Sequence, residues 1–365
     1  ELKKAFLSMP EEEAFKYFDI FKKTLSGTIG KNLINMEFPL ETESEGGTQE
    51  FLLKLRNSRL TDDALLEEFY NRVIDSYDYA ENYLILLVHA AYDIPGKSTD
   101  GSEMFDASDE VYDYIMCTFC PVKLSKPGLS YHAEENSFHE RIRDWIVEMP
   151  DAGFLFPAFN DRSTDIHNLL YYSKNAENLG NGLTDLLLGC VPPLTAGNQK
   201  DTFRTLIEET LGDDCDYDTV KNIHENLNEM IEQNSENPEP LALDKAEVKY
   251  LLAKSGVEEE KLETFDEQYD SAAGEHSTLL ASNIANLKKF EIKTPDVVIH
   301  VAPDRADLVE TRIIDGRKCL VIPMESEVEL NGIRVSALNS AENIIAESIP
   351  AHGVNNSDNE EEIPF

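Results

Sequence analysis

The apolar positions of the chain fall into three successive textures. From Pro10, PEEEAFKYFDIFKKTLSG spaces Phe15, Phe18, Ile20, Phe21 and Leu25 along one helical stripe. Acids crowd its first turn, Lys22 and Lys23 sit in its last, and Gly27 follows, as a helix dipole and its C-terminal stop prefer. KNLINMEFP (31–39) predicts a strand. TQEFLLKLRNS and LTDDALLEEFYNRVIDSY predict two helices, the second with Thr61 as its N-cap. A strand-rich block follows in YLILLVHAA, VYDYIMCTFCPV, IRDWIVEMP, GFLFPAF and IHNLLYYSK, β-branched and aromatic runs divided by Gly, Pro, Asp and Asn. The short MPDAG connection predicts a hairpin, and with it an antiparallel sheet.

After Lys174 the pattern turns helical, over 176–188, 200–211, 217–234, 244–254 and 257–273, with Asp244 and Ser255 as caps. From Phe290 a third texture appears in FEIKTPDVVIHVAP, VETRIIDGRKCLVIP and VELNGIRVS. There Asp315-Gly316 is a strong hairpin signal. From about Ser336 periodicity is lost, and the tail predicts disorder. The expected fold is α+β, a mixed, largely antiparallel sheet with flanking helices, an acidic helical middle region and a small β-rich C-terminal unit. The expected divisions are 1–175, 176–286, 287–335 and 336–365.

A chain of 365 residues exceeds the size of one ordinary core, so two or three packed units are expected. The apolar run Tyr83–Val88 is far short of the ~20 residues that span a bilayer, and no membrane contact is expected. Five scattered cysteines argue against a disulfide scaffold and for a reducing, cytoplasmic setting. The formal charge of −39 repels polyanions at long range, but it is regional. Residues 201–275 hold 6 bases against 22 acids, whereas 276–335 hold 8 against 9. A nucleic-acid surface therefore has to use Lys288, Lys289, Lys293, Arg305, Arg312, Arg317, Lys318 and Arg334, or a basic protein has to dock on the acidic faces.

Catalytic strings are sparse. AYDIPGKS (91–98) meets the loosest form of a phosphate-binding loop, with Gly96, Lys97 and Ser98 as its contacts. A genuine loop of this kind opens a helix, and TDGSEMFDASDE does not read as one. Cys117 and Cys120 have CxxC spacing inside a strand-like run and read as buried, inert thiols. His132, Glu134, Glu135, His139 and Glu140 are metal-ligand types without a metal-ligand spacing, so they read as a solvated loop and no metal is expected. Asp161, Arg162, Ser163, Thr164, Asp165 and His167 form a polar cluster between two apolar strands. They read as an Asx-type turn or a functional loop.

FKKTLSGTIGKNLINMEFP, EGGTQEFLLKLRNS, YLILLVHAAYDIPGK, FDASDEVYDYI, LSKPGLSYHAEEN, FLFPAFNDRSTDIHNLLYYSKN and TPDVVIHVAPDRADLVETRIIDGRKCLVIP together resemble an uncharacterised bacterial family of unknown function. That resemblance runs to about Val335 and implies no activity. The order of sheet, helical middle and basic passage into C-terminal strands at LLASNIANLKKFEIKTPDVVIHV is similar to that of the bacterial nucleoid-associated protein family. This second resemblance implies Lys288, Lys289 and Lys293 as contact residues, against the sign of the overall charge. The expectation is a non-enzymatic binding or scaffold protein, nucleoid-associated-like, without cofactor and with homo-oligomers allowed. The alternative is an enzyme using the sheet loops, nucleotide-dependent at AYDIPGKS or a hydrolase at DRSTDIH.

Overall fold

The computed structural model describes residues 8–43, 45–97, 103–160, 163–237, 239–275, 277–286, 289–323 and 328–335. The expected disordered tail 336–365 lies outside them. The chain divides into two compact units, Glu1–Lys288 and Lys289–Phe365.

In sequence, the sheet part contains α1 (Glu11–Thr24), β1 (Leu33–Glu37), α2 (Thr48–Asn57), α3 (Asp63–Ser76), β2 (Tyr83–Lys97), β3 (Glu103–Leu124), β4 (Leu129–His132), β5 (Ser137–Glu140), β6 (Trp145–Val147), β7 (Ala152–Phe156), β8 (Ala158–Asn160), β9 (Ser163–Asp165) and β10 (Asn168–Ser173). The main sheet runs β1–β10–β7–β3–β2 with antiparallel neighbours throughout, and β6 joins the far end of β3. Side chains alternate between faces. Ile115, Cys117 and Phe119 of β3 therefore share one face with Phe154 and Phe156 of β7. Phe51, Leu52 and Leu55 of α2, Leu66, Phe69 and Val73 of α3, and Leu183, Leu187 and Leu188 of a π-helical segment (Gly182–Leu188) cover that face. Each fully buried side chain of this size contributes about 1.5–3 kcal/mol. Tyr112, Met116 and Leu155 point the other way and meet Phe21 of α1.

Several local expectations need correction. MPDAG is not a hairpin, because β6 and β7 both run antiparallel to β3 along the same edge, Val147 opposite Val122 and Ala152 opposite Phe119. Glu148 N donates to Pro121 O (2.8 Å) and Asp151 N to Phe119 O (3.0 Å), carrying the ladder across a change of register. The N-cap of α3 is Asp62, whose carboxylate accepts from Ala64 N and Leu65 N, and Thr61 instead donates to Ser58 O. YHAEENSFHER forms the β4–β5 hairpin, turned at Asn136 with φ 46°, a conformation Asn tolerates well. Its side chains Leu129, Tyr131 and Phe138 stay exposed, as does Trp145 of β6. Residues 176–180 are not helical, because Asn175 and Asn178 accept from Glu177 N and Gly180 N and hold turns there.

The helical part of the first unit follows with α4 (Ala196–Leu211), α5 (Tyr217–Gln233), β11 (Ala242–Leu243), α6 (Lys245–Lys254), α7 (Glu259–Leu262), α8 (Phe265–Ala272), β12 (Leu279–Leu280) and α9 (Ala281–Ile284). Its own core gathers Phe203, Leu206, Leu227, Leu251, Phe265, Tyr269 and Leu279. Arg204, Lys221, Lys245, Lys249, Lys254 and Lys261 each meet a carboxylate, and the last four link separate elements: Lys245 with Asp270 (2.8 Å), Lys249 with Asp266 (2.9 Å), Lys254 with Glu229 (2.7 Å), and Lys261 with Asp214. Asn283 joins the two parts: its Nδ2 donates to Gly30 O and to Oε1 of buried Gln199, which also accepts from Leu280 N. No helix among the described residues is long and apolar enough to cross a membrane.

The second unit is built of hairpins: β13 (Phe290–Lys293) with β14 (Val298–Val301), β15 (Glu310–Ile314) with β16 (Arg317–Val321), and β17 (Val328–Leu330) with β18 (Ile333–Val335). Asp315-Gly316 turns the middle one with φ 51° and 75°, and Asn331-Gly332 the last with 50° and 82°. Positive φ at both central residues gives the turn twist that matches paired strands, and these residue pairs adopt it readily.

The start of α6 gives a direct stability test. The Asp244 carboxylate accepts from Glu247 N (2.8 Å) while Glu247 Oε2 accepts from Asp244 N (2.9 Å), a reciprocal capping box. Asp244→Ala should lower unfolding free energy by about 1 kcal/mol, and Asp244→Ser by much less, as urea denaturation would read.

Candidate ligand cleft

A cleft of about 840 Å³ opens where four segments meet: the end of α3, the start of β7, the end of β10 and the connection into the π-helical segment. That size is within the range of small-molecule sites. Its floor is buried, with Ser76, Ala152, Tyr171, Ser173, Leu179 and Leu183. The rim is polar, with Asp78, Asp151, Lys174, Asn175, Asn178 and Asn181.

Antiparallel pairing places these groups together. β10 lies beside β7 with Ser173 opposite Ala152, which brings Lys174 next to Asp151. Lys174 N donates to Asp151 O (2.8 Å) and Lys174 Nζ to Asp151 Oδ1 (2.8 Å). Asn32 Nδ2 donates to the carbonyls of Ser173 and Lys174, which fixes the strand end. Ser173 Oγ reaches the carbonyls of Asn175 and Asn178 (both 2.9 Å), and Tyr171 OH donates to Leu179 O (2.6 Å), so the wall behind the rim is braced from the floor. At Gly182 a Cβ would stand 2.1 Å from Ser76 O. Glycine there lets the π-helical segment close against the end of α3, and such segments recur at functional sites. Tyr77 stacks on Tyr79 (5.6 Å) and meets Tyr83 edge-on (4.9 Å) beside the opening.

The hydrogen bond to Asp151 raises the Lys174 pKa and keeps the ammonium charged. Burial raises the phenol pKa of Tyr77 and of Tyr171, so both remain neutral donors. The cleft thus presents one fixed ammonium, two carboxylates, three carboxamides and neutral hydroxyls. Such a set recognises polar ligands by hydrogen bonds and charge.

The residues singled out in the sequence lie elsewhere. Gly96 and Lys97 end β2, and their backbones pair with Met104 and Glu103 of β3, so the chain returns as a strand where a phosphate loop would open a helix. Ser98, Asp161, Arg162 and Lys288 lie outside the described residues. Asp165 accepts from Asn160 Nδ2 and Asn168 Nδ2 (both 2.8 Å) and from His167 N (3.0 Å), which makes it a brace for the β8–β9 hairpin. His167 Nδ1 contacts Glu43 Oε1 at 2.6 Å. Cys117, Cys120 and Cys190 are buried free thiols, and burial pushes Cys120 to about 11 and Cys190 to about 12. His139 shares its Nε2 with Glu135 and Ser137. Among the described residues no group of three His, Cys, Asp or Glu could hold a metal.

In the C-terminal unit Lys289 pairs with Glu291 (2.5 Å), Arg305 with Asp307 (3.4 Å) and Arg312 with Glu310 (2.7 Å). Of the predicted basic group, Lys289, Arg305 and Arg312 thus each face a carboxylate of their own unit, while Lys293, Arg317 and Lys318 lie exposed on β13 and β16. The cleft residues were not singled out from the sequence, because MPDAG and YYSKNAENLGNG read as a turn and as element ends. The evenly spaced Asn175, Asn178 and Asn181, with glycines between and after, were the available signal.

His167 supplies a pH test. The hydrogen bond and charge of Glu43 raise its pKa above 6.5. The pair therefore stabilises the fold fully below pH ~6.5, and this contribution is lost as pH rises through the raised value. An NMR titration should place the His167 midpoint above 6.5 and show Glu43→Gln bringing it down.

A comparison with the curated proteins finds no match. The model of a domain of unknown function, DUF4317, matches residues 1–333, nearly the whole described chain, so the protein belongs to that family.

Proposed function

We propose that this protein is a non-enzymatic binding protein whose ligand sits in the cleft between β7, β10 and the end of α3. The supporting observation is the Lys174–Asp151 pair at 2.8 Å in the mouth of an 840 Å³ cleft with a buried floor. A charged pair with carboxamides around it and a second carboxylate, Asp78, on the rim suits a small zwitterionic ligand such as a free α-amino acid. The ligand carboxylate replaces Asp151 on Lys174, and the ligand ammonium is received by the released Asp151 and by Asp78. Exchange of one ion pair for another costs little net charge desolvation, so the neutral donors and acceptors of the rim decide which side chain is accepted.

A nucleic-acid contact through the C-terminal unit has less support. Lys289, Arg305 and Arg312 already face carboxylates, and phosphate binding would have to displace them.

The test is thermal unfolding with the amino acids as one panel and neutral sugars and nucleotides as others. An occupant at about 100 times its Kd stabilises by ~2.7 kcal/mol. At least one amino acid should raise the melting temperature, and Lys174→Ala should abolish that shift. The exposed ion pair itself is worth at most about 1 kcal/mol, so the variant should still fold. A shift by sugars or nucleotides alone, or a shift unchanged in Lys174→Ala, would contradict the assignment.

A further inference from the structure

We propose that the outer edge of β2 is an interface for a second copy of this chain, joined strand to strand into one continuous sheet. The observation is independent of the cleft. β2 is the last strand of the main sheet, and among the described residues its ladder runs to β3 alone. Val122 N donates to Asn82 O, and Tyr83 lies opposite Pro121, which has no N–H. The backbones of Asn82, Leu84, Leu86, Val88 and Ala90 therefore point to β3. Those of Tyr83, Ile85, Leu87 and His89 point outward with unpaired N–H and C=O groups.

This edge lacks the usual protections. Isolated edge strands are kept from pairing by lysines, prolines, bulges or short length. Tyr83 to Ala90 reads YLILLVHA, with half-buried side chains and no Lys, Asp, Glu, Pro or Gly. Pro95 and the register shifts around it come only after Ile94. The one side chain that can carry a charge near neutral pH, His89, sets its Nε2 2.5 Å from Asp113 Oδ1 of β3, a close contact within its own hairpin that lacks hydrogen-bond alignment. In a chain of charge −39 this uncharged strip is where a like-charged copy can approach.

The sequence of the strand selects itself as partner. A two-fold axis at Leu86 sets Ile85 against Leu87, Tyr83 against His89 and Leu84 against Val88 of the other copy. Outward-pointing backbones then meet outward-pointing ones, giving about eight interchain hydrogen bonds. An axis one residue further on, at Leu87, would place Asp93 opposite Glu81 of the other copy and is disfavoured by like charge. Both arrangements are closed and isologous, which stops growth at two chains.

The test combines mass and amide exchange on the full chain. Light scattering after size exclusion should give the mass of two chains. Hydrogen exchange should show the amides of Ile85, Leu87 and His89 as slow as those of Leu84, Leu86 and Val88. Leu86→Lys, which sets two ammonium groups together on the axis and leaves the β3 ladder intact, should return the mass of one chain and free only the outward set of amides. A single-chain mass with fast exchange at Ile85 and Leu87 in the parent would overturn the proposal. A two-chain mass that survives Leu86→Lys with those amides still fast would overturn it equally, by placing the interface elsewhere.

Discussion

The larger unit depends on the close pairing of β3 with β7. Ile115, Cys117 and Phe119 are fully buried on one side of β3, and Tyr112 and Met116 are buried on the other. A strand covered on both faces tolerates no polar alternation, and IMCTFC shows none beyond Thr118, itself buried. β7 meets β3 with Gly153 opposite Thr118. A Cβ on Gly153 would lie 2.6 Å from Cys117 O and 2.6 Å from Thr24 Cγ2. The missing side chain is what lets the end of α1 and the backbone of β3 close on β7 together. The core on one face and α1 on the other are positioned through that contact.

The cleft follows from the same constraint. β7 fixes Asp151 at its start, β10 pairs with β7 and delivers Lys174 beside it, and the end of α3 arrives because Phe69 and Val73 are buried in the shared core. The helical part adds its own core and a net of ion pairs that cross between helices. Exposed pairs of this kind contribute little individually. They do explain how a region with so few bases is held: nearly all of them are engaged internally, and the surplus acids face water. That leaves the charge of the molecule outward, and the neutral edge of β2 as an exception to it.

How much of this was legible follows from where each signal resides. α1, α4, α5 and α6 were readable because periodicity and caps are local, and Asp244 was picked out by the same logic that its capping box displays. The Asp315-Gly316 hairpin was readable because a two-residue turn carries its own geometry. The β4–β5 hairpin was not, because Leu129, Tyr131 and Phe138 are exposed and no inward-outward alternation marks the strands. MPDAG misled because a short Gly-containing link fits a reversal and a register change equally well. The cleft escaped notice for a deeper reason. Asp78, Asp151 and Lys174 come from separate segments, and only strand pairing makes them neighbours. The basic residues of 289–318 are visible as a group in the sequence, whereas the pairing of Lys289, Arg305 and Arg312 with carboxylates two positions away depends on side-chain geometry that a residue count does not carry.

The most direct measurement of the central constraint is urea unfolding of Gly153→Ala beside Gly128→Ala. Gly128 is exposed, and a Cβ there would meet nothing within 4 Å. Overpacking at Gly153 should lower unfolding free energy by about 1–3 kcal/mol, while Gly128→Ala should stay within about 0.5 kcal/mol of the parent. Equal stability of the two variants would contradict the claim that the β3–β7 contact sets the rest of the fold.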